Sequence, residues 1–244
     1  MKVLLIILLV ILGIILVPVL IIAISSLFVN PNTEYHYNSP YFRFLLNAST
    51  GVMIVLLRIK LHVTGLEKIP EGRFLLVGNH RSNYDPLLTW YVLRDKQLAY
   101  LSKEENFRVP GYGRIIRKCG FMPIDRNNPR TALKTLATCA QMIKDDKVSF
   151  GIYPEGTRSK ECLLLPFHDG IFRVAQMAEV PIVVVAVQGT EKIHKQYIRK
   201  RSEVSLDFVN VMPAEEVKKM RTHEIGQHVR EVLLAALNPK GEEE

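Results

Sequence analysis

An uncharged apolar run at the start of the chain sets the first limit on its fold. Residues 3–29 are almost entirely Leu, Ile and Val and carry no charged side chain. The run exceeds the roughly 20 residues that a helix needs to cross a bilayer. Lys2 and the segment 23–25, AIS, which resembles a small-residue cleavage site, are also found in secretory signals, but the apolar run is longer than the apolar part of such a signal. We therefore expect a retained membrane anchor.

A second apolar block covers residues 44–57 and lies between Arg43 and Arg58. Polar residues interrupt it and it is too short to span a bilayer, so we expect it to lie in the membrane interface. The remaining chain is long enough for one hydrophobic core. The sequence therefore predicts membrane-anchoring helices in residues 1–59 and one globular domain in residues 60–244.

The positive charge of the chain lies after the predicted anchor. The net charge is +8, and Lys2 and Glu34 are the only charged residues before residue 41. A basic domain is drawn to an anionic membrane surface or to an acidic partner. Nucleic acid is disfavoured because of the anchor. The positive-inside rule places the domain on the cytoplasmic face of the cell inner membrane, or on the cytosolic side of an organelle membrane.

The three cysteines do not indicate a disulfide framework. Cys119, Cys139 and Cys162 have neither close pairing nor the spacing of a metal site. An odd number of cysteines fits a reducing compartment. We expect them to be small buried hydrophobic residues.

Strand-like and helix-like segments alternate from residue 60 onward. Apolar runs of strand length cover residues 74–78, 98–102, 121–125, 148–153, 182–187 and 205–211. Helical patterns cover residues 86–94, 131–146, 170–178 and 213–237, the last with a possible break at Gly226. This alternation predicts an α/β domain with a mainly parallel sheet. In such sheets the functional site lies beyond the carboxyl ends of the strands.

The loop after the first of these strands carries His80 and Asp85. In one continuous helix their side chains would point roughly 140° apart, at about 100° per residue. A strand, a loop and a helix start instead allow the carboxylate to fold back onto the imidazole. Such a pair resembles the His-Asp half of a nucleophile triad. The alternative is that Asp85 only caps its helix and His80 is a turn residue.

Two further loops carry arginine after a predicted strand. Arg126 follows one strand, and the segment 154–159, PEGTRS, follows another. The planar guanidinium matches phosphate oxygens, and a glycine lets backbone amides approach an anion. The alternative is that Arg126 and Arg158 form surface ion pairs. Glu155 is expected to orient Arg158.

The sequence has no Gly-x-Ser-x-Gly elbow that would supply a serine nucleophile. His80 is therefore expected to act directly on a substrate hydroxyl.

Four segments together resemble a known family. They are NHRSNYD at 79–85, GFMPIDR at 120–126, YPEGTRS at 153–159 and VPI at 180–182. In this order they resemble the four blocks of the glycerolipid acyltransferase family. The resemblance implies a two-layer α/β domain that transfers an acyl chain from acyl-carrier protein or acyl-CoA to the free hydroxyl of lysophosphatidic acid, 1-acyl-sn-glycerol-3-phosphate. The product would be phosphatidic acid. The resemblance also implies that the protein contacts membrane phospholipids.

The resemblance also implies roles for individual residues. His80 would be the general base and Asp85 its orienting partner, with no metal, cofactor or covalent enzyme intermediate. The implied substrate-binding residues are Arg126, Glu155, Gly156, Thr157 and Arg158 on the phosphate side, and Pro181 in the acceptor or acyl pocket. Such enzymes commonly have a lysine before a glycine after the third block, whereas residues 167–170 are FHDG here. We expect a surface turn there, with protonated His168 as the possible replacement.

Three questions stay open at the level of sequence. The acceptor could be glycerol-3-phosphate or another lysophospholipid, because the predicted phosphate-binding residues do not separate them. In a different class, His80, Asp85 and His168 would be metal ligands of a membrane-bound hydrolase, or the chain would be a binding protein without activity. The basic tract 192–201 would dock acyl-carrier protein or anionic headgroups, or be a solvated loop.

Overall fold

The computed structural model describes residues 2–126, 128–197 and 199–238. It begins with two helices, α1 (Lys2–Leu27) and α2 (Pro40–Leu56), joined by residues 28–39. In the part of the chain that the structure describes, no helix combines the length and apolarity that a membrane crossing requires. Membrane association of residues 1–59 stays a prediction, and so does the boundary after residue 59.

The described residues form one seven-stranded sheet. Its strands are β1 (Ile59–Thr64), β2 (Leu75–Gly78), β3 (Leu98–Lys103), β4 (Met122–Ile124), β5 (Ser149–Ile152), β6 (Ile182–Gln188) and β7 (Ser202–Met212). The spatial order is β1-β7-β6-β2-β5-β3-β4. The five strands from β6 to β4 are parallel, β7 is antiparallel to β6, and β1 is parallel to β7. The prediction of a mainly parallel sheet is therefore confirmed, and β1 is a strand that was not predicted.

Helices lie on both faces of this sheet. Those after α2 are α3 (Asp85–Val92), α4 (Tyr112–Lys118), α5 (Pro129–Lys144), α6 (Arg173–Ala178), α7 (Ile193–Gln196), α8 (Ala214–Lys219) and α9 (Thr222–Leu237). Helix α2 contacts α3 and α4, whereas α6 contacts α5 and α8. The connections through α3 and α4 lead from β2 toward β4, whereas those through α5 and α6 lead back from β4 toward β6. Right-handed crossovers that run in opposite directions lie on opposite faces of a sheet, so α3 and α4 lie on one face and α5 and α6 on the other. The expected two-layer arrangement is thus corrected to helix, sheet, helix.

The predicted helix over residues 213–237 is two helices, and the expected break at Gly226 is wrong. The break falls at residues 220–221, between α8 and α9. Gly226 lies inside α9, where a Cβ atom would stand 2.1 Å from Oδ1 of Asp169. The glycine therefore allows close packing of a side chain against the helix and does not end it.

The register of the parallel strands places three strand ends side by side. Val77 of β2 pairs with Ile152 of β5, and Tyr100 of β3 pairs with Gly151 of β5. All residues of β2 and β5 are buried. The loops that follow β2 and β5 therefore leave the core at neighbouring points, and they carry His80, Asp85 and the segment 154–159, whereas Arg126 follows β4, two strands beyond β5 in the sheet.

Candidate active site

His80 and Asp85 form a hydrogen-bonded pair, as predicted. His80 Nδ1 lies 2.8 Å from Oδ2 of Asp85, whose side chain is completely buried. The same oxygen accepts hydrogen bonds from the backbone N–H groups of Arg81 at 2.7 Å and Ser82 at 2.8 Å. These bonds go to the loop and not into α3, so Asp85 does more than cap its helix. A proton on Nδ1 is donated to Asp85, which leaves Nε2 as the acceptor nitrogen.

Glu155 holds the backbone of His80 in place. Its Oε1 accepts the N–H of His80 at 2.6 Å, and its Oε2 accepts the N–H of Leu165 at 3.0 Å. The His80 carbonyl in turn accepts the N–H of Ser159 at 2.9 Å. Burial raises the pKa of Glu155, and the two amide bonds oppose this rise. Glu155 is therefore a support of the His80 loop, and the expectation that it orients Arg158 is corrected.

Two tyrosines lie beneath the imidazole and were not predicted. The Tyr153 ring is stacked on His80, with ring centroids 4.4 Å apart, and also on Tyr100, with centroids 5.8 Å apart. The Tyr100 hydroxyl is hydrogen-bonded to the hydroxyl of Thr89, which donates to the carbonyl of Asp85 at 2.7 Å. Burial raises the pKa of Tyr100 and of Tyr153, so both phenols stay protonated at neutral pH.

A cavity of about 1020 Å³ opens at His80. Many of the side chains that line it are apolar or aromatic, among them Leu87, Leu101, Val109, Tyr112, Phe121, Ile124, Ala132, Leu133 and Leu136. Others are polar or charged, and most of these are basic: Lys103, Arg126, Thr157, Arg158, His168, Asp169 and Arg173. The cavity therefore suits a molecule with an apolar chain and an anionic group, and His80 faces the same space.

Gly156 allows two basic side chains that line the cavity to lie close to its backbone. Its φ of +68° is left-handed, and a Cβ atom there would stand 2.9 Å from Cδ2 of His168 and 3.5 Å from Nη1 of Arg126. Burial lowers the pKa of Arg126, and the charge of Glu105 opposes this shift. His168 is exposed, in accord with the expected surface turn, yet it lines the cavity. Arg126 and His168 thus lie close to Gly156, and the exposed Thr157 and Arg158 line the same cavity.

Pro181 does not belong to this site, contrary to the expectation. Its carbonyl accepts the N–H of Leu75 at 3.0 Å, at the start of both β6 and β2. His80 follows the other end of β2. Because the two strands are parallel, Pro181 lies at the opposite edge of the sheet and is absent from the described wall of the cavity.

Lys103 and Arg173 are site residues that sequence reasoning missed. Lys103 is the last residue of β3, so the rule that sites lie at carboxyl ends of strands would have pointed to it. Arg173 begins α6, and its sequence carries no comparable signal. Among the described residues, no group of three or more His, Cys, Asp or Glu is placed to hold a metal ion. The alternative set His80, Asp85 and His168 is therefore not brought together as a metal site.

A histidine–aspartate pair at the carboxyl edge of a parallel sheet, facing a cavity lined by basic and apolar side chains, is suited to act as a base beside an anionic amphipathic molecule. Residues 60–188 match the family model described as Acyltransferase, and this is more than half of the chain. The chain therefore belongs to the Acyltransferase family.

Curated relatives carry the name 1-acyl-sn-glycerol-3-phosphate acyltransferase. The Escherichia coli K12 protein is 30% identical over 166 residues, which is 66% of this chain and 66% of the relative. The Salmonella typhimurium protein is 28% identical over 162 residues, again 66% of each, and the Saccharomyces cerevisiae protein is 26% identical over 194 residues, 78% of this chain and 64% of the relative. The chain thus covers just under two thirds of the length of these relatives.

The fold is also similar to a solved structure. The crystal structure of the 1-acyl-sn-glycerophosphate (LPA) acyltransferase, PlsC, from Thermotoga maritima matches with a TM-score of 0.64 over 82% of each chain. The two sequences are 21% identical. This similarity shows a shared fold.

Proposed function

We propose that the protein transfers an acyl chain from acyl-carrier protein or acyl-CoA to the free hydroxyl of 1-acyl-sn-glycerol-3-phosphate and so forms phosphatidic acid. The observation that carries this proposal is the 2.8 Å contact between His80 Nδ1 and Asp85, with the imidazole at the wall of the cavity. The names of the bacterial and yeast relatives support the same acceptor.

The chemistry needs one base and no enzyme nucleophile. His80 Nε2 takes the proton from the acceptor hydroxyl while its oxygen attacks the thioester carbonyl and forms the new C–O bond. Asp85 stabilises the imidazolium that results. When the C–S bond breaks, the thiolate takes the proton from His80, so the base is regenerated and a free thiol leaves. Glu155 and Tyr153 hold the ring in place through the backbone bond and the stacking contact.

The two kinds of side chain that line the cavity suit the two parts of the substrates. A phosphomonoester is a dianion that forked guanidinium groups bind well, and Arg126 and Arg158 line the cavity together with Lys103 and His168. The apolar lining residues, such as Phe121, suit acyl chains. Hydroxyl and thioester would then meet at His80, which lines the same cavity.

We further propose that the reaction takes place at the cytoplasmic surface of a membrane. Large apolar side chains of the first two helices and their junction are exposed in the described chain, among them Phe28 at 81%, Val55 at 75% and Phe44 at 67%. Exposed apolar side chains next to a basic domain are typical of proteins that bind a bilayer surface. Fractionation of cells that express the full chain, before and after a carbonate wash, tests this placement; recovery in the soluble fraction would contradict it.

The activity is tested with purified protein, a labelled acyl thioester and a panel of acceptors. The panel contains 1-acyl-sn-glycerol-3-phosphate, glycerol-3-phosphate and lysophospholipids without a phosphomonoester. We expect thiol release together with phosphatidic acid, for at least one of acyl-CoA and acyl-carrier protein. Absence of lipid product from every acceptor would overturn the proposal. Preference for glycerol-3-phosphate would keep the reaction and change the acceptor, and loss of activity with a chelator would favour the hydrolase alternative.

Two substitutions assign the roles of site residues in the same assay. His80→Ala should abolish turnover with the fold intact, whereas His62→Ala, at an exposed histidine of β1, should not. Arg158→Ala should mainly raise KM for the acceptor, since it removes a phosphate contact that is made before and during reaction. Retained turnover in His80→Ala would show that another residue is the base. An unchanged KM for the acceptor in Arg158→Ala would show that this arginine does not bind the phosphate.

A further inference from the structure

A second cavity lies between the end of α1 and the segment that leads from β3 into α4. Its volume is about 560 Å³. Three arginines line it, Arg108, Arg114 and Arg117, with one acidic side chain, Glu104. Val109 lines both this cavity and the one at His80, so the two spaces adjoin. The reaction proposed above uses none of the three arginines.

Arg117 is a buried cation with incomplete compensation. Its side chain is 10% exposed, and its Nη2 lies 3.9 Å from Oε1 of Glu104, which is longer than a hydrogen bond. The guanidinium lies 4.8 Å from the centre of the Phe107 ring. Within the described part of the chain, Arg117 Nε is buried and has no hydrogen-bond partner. A buried guanidinium with an unpaired N–H costs stability, and an additional anion that accepts a hydrogen bond from it would remove this cost.

The two other arginines can share such an anion. Arg114 Nη1 donates to the carbonyl of Ser26 at 3.1 Å, and this contact fixes the cavity to the last turn of α1. Arg108 is exposed at the rim. Planar guanidinium groups bind phosphate through paired hydrogen bonds, so three of them around one cavity are suited to hold a phosphate.

The surroundings indicate which phosphate it is. Leu27 lines the cavity and is 72% exposed, the adjacent Phe28 is 81% exposed, and Ile24, one turn earlier on α1, is 54% exposed. A soluble phosphate has no apolar part that could contact these side chains, whereas the acyl chains of a phospholipid lie beside its headgroup and could contact them. We propose that this cavity binds the phosphate of an anionic membrane phospholipid, at a site separate from the one at His80. Such a lipid would hold the opening of the His80 cavity at the membrane surface.

The test measures partition of the full chain onto vesicles, with no need for catalysis. Vesicles of phosphatidylcholine alone are compared with vesicles that also contain phosphatidylglycerol, and the ratio of the two partition coefficients is the readout. Each arginine removed should lower this ratio by about fivefold, so Arg108→Ala gives about fivefold and Arg108→Ala/Arg114→Ala about 25-fold. Arg94→Ala, an exposed arginine in the turn Arg94–Lys96 before β3, is the matched control and should leave the ratio unchanged.

Three results would overturn the proposal. The first is an equal ratio for the wild-type chain and the double variant. The second is an equal loss in Arg94→Ala and Arg108→Ala, which would reflect total charge and not a site. The third is stabilisation by inorganic phosphate that depends on these arginines while the vesicle ratio does not, which would make the ligand a soluble anion. Arg108 is exposed, so its single variant keeps the test valid if the double variant unfolds.

Discussion

The ring of Tyr153 lies almost parallel to the imidazole of His80, at an interplanar angle of 18° with ring centroids 4.4 Å apart. The pair is formed because β5 and β2 are neighbouring parallel strands, and each residue stands just beyond the end of its strand. Asp85 fixes the ring of His80 from one edge and Tyr153 supports one of its faces. The base is thus held by side chains from two separate loops.

Removal of the Tyr153 ring should reduce turnover more than removal of its hydroxyl. Tyr153→Phe keeps the stacking contact and loses only the contacts of the hydroxyl, to Thr89 at 3.4 Å and to the hydroxyl of Tyr100, so kcat should change less than about twofold. Tyr153→Leu loses an aromatic pair worth about 0.5–1.5 kcal/mol, so kcat should fall about two- to tenfold. The kcat and KM of both variants in the acyl-transfer assay check this. Equal kcat values for the two variants would show that stacking does not position the base.

Glu155 should make stability depend on pH. Burial raises the pKa of its carboxyl group in the folded state, so the stability it contributes is present below the pKa of the unfolded chain. That stability is lost as the pH rises through the folded pKa. Relative to Glu155→Gln, the wild-type chain should therefore lose free energy of unfolding between pH 4.5 and pH 7.5. Urea unfolding of both proteins at the two pH values measures this difference.

An exposed glutamate of the same loop supplies the control for that measurement. Glu161→Gln should follow the wild-type chain at both pH values, since Glu161 is exposed. A difference between wild type and Glu155→Gln that stays constant with pH would contradict the raised pKa. At neutral pH, Glu155→Gln should also lower kcat, because one of the two amide bonds to His80 and Leu165 loses its acceptor.

The elements that the sequence predicted best are those buried on both faces. The apolar runs of β2 and β6 are completely or almost completely buried, and such runs read as strands without knowledge of their neighbours. Strand β1 was missed because it lies at the edge of the sheet and carries Lys60 and His62 on its less buried positions. Its strand character comes from pairing with β7, which is distant in sequence.

The site residues likewise divide into those whose contacts are local in sequence and those whose contacts depend on the order of the strands. His80 and Asp85 were predicted because they are five residues apart and one loop brings them together. Tyr100 and Tyr153 were not, because only the order of β2, β5 and β3 in the sheet stacks them beneath the base. Pro181 was misplaced because its role was taken from the motif alone: it precedes the predicted strand 182–187, whereas a site beyond the carboxyl ends of parallel strands excludes that position.

Gly113 should be intolerant of a side chain although it lies in a helix. A Cβ atom there would stand 2.3 Å from the backbone oxygen of Phe107, which cannot move without the chain that carries it. Alanine gains about 1 kcal/mol over glycine in helix propensity. The collision should outweigh this gain and lower the free energy of unfolding by about 1–3 kcal/mol. Chemical denaturation of Gly113→Ala measures the change.

Another helical glycine gives the matched control. Gly13 lies in α1 and a Cβ atom there would meet nothing within 4 Å. Gly13→Ala should therefore leave the free energy of unfolding unchanged or raise it by up to about 1 kcal/mol. If Gly113→Ala is as stable as Gly13→Ala, the close approach of the backbone of residue 107 to α4 is incorrect.

Gly113→Ala should also affect the candidate site. Asn106 and Tyr112 are next to Phe107 and Gly113 and line the His80 cavity, so a displacement of the backbone in this variant should raise KM.

The three thiols should differ in reactivity according to their burial. Cys119 and Cys139 are fully buried, as predicted, whereas Cys162 is only partly buried. Burial raises the pKa of Cys119 to about 12 and raises that of Cys139 as well, so neither forms the reactive thiolate at neutral pH. A small alkylating reagent at pH 7.5 should label Cys162 in the folded chain and all three cysteines in urea. Peptide mass spectrometry after brief exposure to the reagent shows which cysteines are labelled in the folded and in the unfolded chain. If Cys139 were labelled in the folded chain as fast as Cys162, this would contradict the packing of α5 against the sheet.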